Sequence, residues 1–201
     1  MTRIKICGIK SVADALYCAE KGADAVGLVF AKSTRQIDVA TAREITTALP
    51  PFISKVGVFV DMEIESVELI ARDCGLTALQ FHGIEDATYC RSFTLPVLKA
   101  VRMRSTEDLN GLSEYSIAAF VLDAFHPTLD GGSGESFDWA LAKTTLSKPM
   151  ILAGGLTPQN VEQAILELQP YAVDVSSGVE TNGEKDRAKI KAFIDTVRRC
   201  S

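Results

Sequence analysis

The chain has 201 residues, 47% of them hydrophobic and 23% charged, which suits one ordinary globular domain, residues 1–201, with a sizeable core. A net charge of −5 and a pI near 5.1 argue against nucleic acid as a partner. No apolar run approaches the roughly 18 residues that a membrane span requires, so no membrane is expected either.

The start, Met1-Thr2-Arg3-Ile4-Lys5-Ile6-Cys7, lacks the apolar stretch of a secretion signal. Cys7, Cys18, Cys74, Cys90 and Cys200 are odd in number and scattered, which predicts reduced thiols in a cytoplasmic protein and no metal-ligand set.

Apolar, β-branched runs predict strands at residues 4–7, 25–30, 55–60, 78–82, 97–101, 118–123, 150–153 and 172–175. They recur about every 24 residues, the beat of a strand–helix unit. Between them, helical spacing puts Val12, Ala15, Leu16 and Ala19 on one face. Val67, Ile70 and Ala71 share another, as do Val161, Ala164, Ile165 and Leu168, and Ile190, Phe193, Ile194 and Val197. Strands that are apolar almost throughout suit a parallel sheet covered on both faces. Eight such units predict an α/β fold, a (β/α)8 TIM barrel; a doubly wound open sheet is the structural alternative.

In such a barrel the chemistry sits at the carboxyl ends of the strands. The first run ends in Cys7, a candidate base or nucleophile if its pKa falls, and otherwise a small buried hydrophobe. Arg35 follows the second, with a planar fork that suits a carboxylate or phosphate, although solvated loop arginines are common. The fourth ends in Gln80-Phe81-His82-Gly83, with Gln80 and His82 on one side of the strand. His82 lines a site or serves as a hydrogen-bonded structural histidine. The sixth ends in Asp123, a carboxyl that is costly on a buried strand unless it is paired or faces a site. A glycine-rich loop, Gly131-Gly132-Ser133-Gly134, comes next, a lid or a passive connector.

The last two runs lead into Ala153-Gly154-Gly155-Leu156 and Val175-Ser176-Ser177-Gly178. Small residues at a strand-to-helix turn let backbone N–H groups approach an anion, and a following helix adds positive potential. One such turn says little. Two in tandem, late in the chain, predict a phosphate cradle.

Taken together, these residues resemble the phosphoribosylanthranilate isomerase family of tryptophan biosynthesis. The resemblance covers nearly the whole chain: Lys5-Ile6-Cys7-Gly8, Ser33-Thr34-Arg35, Gln80-Phe81-His82-Gly83, Leu122-Asp123, Gly132-Ser133-Gly134 with Phe137-Asp138-Trp139, Leu152-Ala153-Gly154-Gly155, and Asp174-Val175-Ser176-Ser177-Gly178-Val179-Glu180. The late glycine turns are common to phosphate-binding barrels. A strand-one cysteine combined with a strand-six aspartate is far more specific.

The resemblance implies a cofactor-free Amadori rearrangement of a small phosphorylated substrate by a cytoplasmic monomer or homodimer. It makes Asp123 the general acid and Cys7 the general base. Arg35 then holds the substrate carboxylate. Gln80, His82 and Gly83 line the site, and Gly132, Ser133, Gly134, Gly154, Gly155, Ser176, Ser177 and Gly178 hold the phosphate. An acid and a base working near neutrality call for a raised carboxyl pKa and a lowered thiol pKa. Two departures from the family pattern stand out. Glu135 follows the glycine loop where a basic residue is common, and Thr181-Asn182-Gly183-Glu184-Lys185 replaces a Pro-Gly pair.

A strand-end lysine with neighbouring glutamates, as in an indole-glycerol-phosphate synthase relative, is missing from the sequence reading. A phosphate- or flavin-phosphate-binding barrel without isomerase activity is the remaining alternative.

Overall fold

The computed structural model describes residues 1–124 and 146–200. Eight parallel strands close into a barrel in chain order, the last pairing with the first. They are β1 (Arg3–Cys7), β2 (Ala25–Val29), β3 (Ser54–Phe59), β4 (Ala78–Phe81), β5 (Val97–Met103), β6 (Ala119–Ala124), β7 (Met150–Ala153) and β8 (Ala172–Val175). The closed ring excludes the open doubly wound sheet. Phe30, Val60 and His82, expected as strand residues, lie one position beyond the ends of their strands.

The two-residue period sorts each strand between two cores. Val56, Ala78, Leu98, Ala100, Ala119, Val121, Ile151, Ala153 and Ala172 form the compact inner cluster. Their neighbours by one residue, including Leu79, Phe120, Leu122 and Val173, join the larger layer between sheet and helices. Rings fill part of that layer: Phe30 stacks on Phe59 at 5.1 Å, and Phe81 meets Tyr89 edge-on at 5.0 Å.

The helices are α1 (Val12–Lys21), α2 (Val39–Ala48), α3 (Ile64–Asp73), α4 (Ala87–Arg91), α5 (Val161–Leu168) and α6 (Arg187–Arg199). Local signals set their ends. Ser11 caps α1 by accepting from Asp14 N–H at 3.1 Å, and Gly22 ends it with φ 101°. Asp186 caps α6 by accepting from the N–H groups of Ala188 and Lys189.

Two expectations change. In α1 the buried stripe is Ala15 and Cys18, and Leu16, placed on that face from the sequence, is 41% exposed. Ala15 and Cys18 are small enough to bring the helix close to the sheet, and the larger Leu16 falls on the rim. After β5 the chain makes two short 3-10 turns, Thr106–Leu109 and Leu112–Glu114, in place of an α-helix. Ser105 and Asp108 close the first turn in a reciprocal capping box, and Gly111 at φ 76° separates it from the second. Among the described residues, no helix is long and apolar enough to cross a membrane.

Candidate active site

Cys7 ends β1 beside Gly27 of β2. A Cβ on Gly27 would stand 2.6 Å from the Cys7 sulfur, so the thiol occupies space that only glycine leaves. The Cys7 carbonyl accepts from the Ser176 hydroxyl at 3.1 Å, tying the ends of β1 and β8 together. Gly8 follows with φ 75°, and the methylene stem of Arg35 lies over it, 2.5 Å from where a Cβ would be.

Asp123 stands on β6, separated from β1 by β7 and β8. Its Oδ2 lies 2.9 Å from His82 Nε2, and both side chains remain partly open to solvent. Gln80 Nε2 lies 3.5 Å from His82 Nδ1, consistent with the shared strand side expected for the pair. Gln80 is 2% exposed, and its Oε1 has no partner among the described residues.

Gly83 serves the scaffold. Its N–H donates to Glu85 Oε2 at 2.9 Å, and its carbonyl accepts from Lys99 Nζ at 2.7 Å. Glu85 also accepts from Asp61 N–H at 2.9 Å and pairs with Lys99 at 2.7 Å, both side chains almost wholly buried. This knot fixes the loops after β3 and β4 relative to β5.

The late turns touch one another. Gly154 and Gly155 have φ 80° and 63°, and Asn160 braces them by accepting from Thr157 N–H at 2.7 Å and donating to the Gly155 carbonyl at 2.9 Å. A Cβ on Gly178 would lie 1.8 Å from the Leu156 carbonyl oxygen, so the second turn packs directly on the first. Ser176 and Ser177 start the second turn, with Ser177 exposed. Helix α5 follows the first turn closely. The second leads only into a 3-10 turn, Ser177–Val179, and the two-stranded ribbon β9 (Glu180–Thr181) and β10 (Glu184–Lys185); the α-helix expected directly after it begins at Arg187. Gly132, Ser133 and Gly134, with Glu135 and Phe137-Asp138-Trp139, lie outside the described residues.

Glu180 engages Arg35 through two bonds, Nε to Oε1 at 2.8 Å and Nη2 to Oε2 at 2.7 Å. Lys185 donates to Glu180 Oε1 at 2.7 Å and to the Ser176 carbonyl at 3.0 Å. Burial pushes the Glu180 pKa up, but Arg35 and Lys185 outweigh it and hold the carboxyl at about 2. Burial likewise pulls the Lys185 ammonium down. Deeper in the barrel, Lys5 Nζ donates to Asp174 Oδ2 at 2.6 Å, and Asp174 Oδ1 has no partner among the described residues.

The thiol does not match the expected lowered pKa. Burial pushes Cys7 up, Lys5 pulls it down, Asp174 pushes it up again, and Lys185 adds a weaker downward pull. Desolvation wins although the Cys7 side chain is only half-buried at the end of β1.

Glu180, Lys185, Lys5 and Asp174 were not among the residues expected from the sequence. Lys5 and Asp174 carried a usable signal, since each is a charge inside an apolar strand, two positions before Cys7 and Ser176 respectively. Among the described residues, no cluster of His, Cys, Asp and Glu is arranged to hold a metal ion.

Residues 4–196 match the model of the N-(5'phosphoribosyl)anthranilate (PRA) isomerase family. The chain belongs to this family. It is 50% identical over 200 residues to N-(5'-phosphoribosyl)anthranilate isomerase of Pseudomonas aeruginosa, covering 98% of this chain and 95% of that one. The crystal structure of phosphoribosyl anthranilate isomerase from Thermotoga maritima superposes with a TM-score of 0.92 at 43% identity, over 99% of this chain and all (100%) of the other. A family structure in complex with reduced 1-(o-carboxyphenylamino)-1-deoxyribulose 5-phosphate gives 0.86 at 40% identity, over 99% and 100% of the two chains. Membership makes the chain an isomerase of the intramolecular oxidoreductase class. A purely ligand-binding barrel and a synthase relative are thereby set aside.

Proposed function

We propose that this barrel, with residues 1–201 acting as one catalytic unit, carries out the rearrangement of N-(5-phospho-β-D-ribosyl)anthranilate to 1-(2-carboxyphenylamino)-1-deoxyribulose 5-phosphate. Asp123 acts as general acid and Cys7 as general base. The observation that carries this reading is the placing of Cys7 and Asp123 at the carboxyl ends of β1 and β6, with the paired glycine turns of β7 and β8 between them.

The turns around Gly154, Gly155, Ser176, Ser177 and Gly178 offer backbone N–H groups to the phosphate, and the sequence resemblance adds Gly132, Ser133 and Gly134 to the same role. This anchoring lays the sugar across the mouth, between acid and base. Asp123 passes a proton to the ring oxygen while the C1–O bond breaks, and the anilino nitrogen lone pair forms the C1=N bond of a Schiff base. His82 Nε2 engages Asp123 Oδ2 at 2.9 Å and leaves Oδ1 to face the substrate. Cys7, as thiolate, removes the C2 proton; the released pair forms the C1=C2 enolamine and neutralises the nitrogen. Moving the C2 hydroxyl proton to C1 gives the ketone. Only protons move, so side chains suffice and no cofactor is required. Arg35 takes the anthranilate carboxylate by sharing the fork that Glu180 holds. The five free thiols favour a reducing compartment, the cytoplasm.

The test is turnover, followed by the fluorescence of the anthranilate group. Cys7→Ala and Asp123→Ala each lose about 10²- to 10⁴-fold in kcat, with thermal melts like wild type. Full activity in either variant removes the role assigned to that residue. The wild-type gene should also restore growth to a tryptophan auxotroph lacking this step, and the Cys7→Ala gene should not.

A further inference from the structure

We propose that Lys5 is a positioning residue for the base: its ammonium, held inside the barrel by Asp174 on the same strand face as Cys7, offsets part of the cost of forming the thiolate. The proposal rests on the reading of Cys7 as general base.

Lys5 and Cys7 are two residues apart on β1, so both side chains face the barrel interior. Lys5 pairs in register with Asp174 of β8, and its Nζ lies 2.6 Å from Asp174 Oδ2. The two residues are 3% and 6% exposed in an interior otherwise filled largely by alanine, valine, leucine and isoleucine. Stability alone does not call for such a pair. Apolar replacements of similar volume are often as stable as a buried ion pair, or more so. The pairing is also incomplete on its own account, because Asp174 Oδ1 is buried without a partner among the described residues.

An ammonium has three N–H donors, and Asp174 Oδ2 takes one. Cys7 follows two residues on along the same face of β1, and the Lys5 charge pulls its thiol down. The other charges around the thiol are largely committed. Arg35, from the loop after β2, has its fork on Glu180. Lys185, from β10, is held by Glu180 and the Ser176 carbonyl. β2 itself presents only Gly27. Of the cations near Cys7, Lys5 exerts the strongest downward pull on the thiol, ahead of Lys185. Asp174 does two things: it keeps the Lys5 ammonium charged where burial opposes the charge, and it tempers the field that Lys5 exerts. The thiolate then forms as the third member of a row, Asp174 carboxylate, Lys5 ammonium, Cys7 sulfur. When Cys7 takes the substrate proton, the row returns to a neutral thiol above a neutral pair.

The experiment is the pH dependence of iodoacetamide alkylation at Cys7 in the substrate-free enzyme. The Cys7 peptide is followed by mass spectrometry, so the other four cysteines do not interfere. Lys5→Met should raise the alkylation midpoint and slow the reaction about tenfold at a fixed pH below it, which is a shift of about one pH unit. The acid limb of kcat against pH should move with it. Lys5→Arg, which keeps a cation, should hold the midpoint near wild type. Because Lys5→Met leaves Asp174 alone in the barrel, Lys5→Met/Asp174→Asn is measured beside it; a smaller rise in the same direction is expected. An unmoved midpoint in both methionine variants overturns the proposal, as does an equal shift in Lys5→Arg and Lys5→Met. Full turnover in Cys7→Ala instead overturns the reading beneath it, so the two failures are told apart.

Discussion

Arg35 and Glu180 form a two-bond ion pair, at 2.8 and 2.7 Å, that joins the loop after β2 to the β9–β10 ribbon 145 residues later. Glu180 Oε1 also receives Lys185. One carboxylate therefore organises two cations at the rim of the barrel. Glu180 thereby orients the Arg35 fork, so the substrate carboxylate proposed for Arg35 would meet an aligned guanidinium.

Glu180→Gln tests that organisation through pH. The folded-state pKa of about 2 lies below the ordinary 4.5, so the stabilisation is fully present above pH 4.5 and is lost as pH falls through about 2. Urea unfolding at pH 7 should show the variant about 3 kcal/mol less stable than wild type, with the gap narrowing steadily below pH 4.5. A gap of the same size at pH 7 and pH 3 would show that the carboxylate charge is not what holds the cluster.

Gly27→Ala tests the seat of the thiol. The added methyl would stand 2.6 Å from Cys7 Sγ and 3.0 Å from Cys7 Cα, so the β1 end must move. Displacing a reacting atom by about 1 Å costs on the order of 10²-fold, so kcat should fall by that much with a smaller change in KM. Steady-state kinetics on the folded variant read both. Unchanged kcat would place the reacting base elsewhere.

Lys99→Met tests the knot under the β4 loop. It leaves the Glu85 carboxylate, 5% exposed, without its cation and with only the N–H groups of Asp61 and Gly83. Uncompensated buried charge costs about 3–5 kcal/mol, which denaturant midpoints would register. Replacing Glu85 by Gln in the same chain should recover part of the loss; no recovery would mean that Lys99 acts by filling space alone.

The strands were legible because each is a short β-branched run buried on both sides, a pattern that needs no knowledge of neighbours. Cys7, Asp123 and the glycine turns stood out as candidates for a related reason: they end those runs or follow them directly. What escaped was the pairing. Nothing local to Arg35 shows that Glu180 will take its fork, because the two meet only when β1 closes on β8. The thiol was expected to be lowered because base catalysis calls for it, whereas burial prevails over the pull of Lys5 and Lys185. The missing helix after β5 has a similar origin. No apolar face was named there from the sequence, and the regular beat of the strands alone suggested one.

The bond from Ser176 to the Cys7 carbonyl and the ion pair from Lys5 to Asp174 both span 169 residues. The surroundings of the thiol are thus made from the first and last strands of the barrel. During synthesis, Cys7 leaves the ribosome 169 residues before Ser176, yet it gains its partners only when β8 docks. Contacts of such long range are slow to form, because the entropy of closing the loop must be met first. Alkylation of Cys7 in a refolding sample is therefore a clock for ring closure: the thiol should keep the reactivity of an open chain until β8 is in place, whatever secondary structure has already formed.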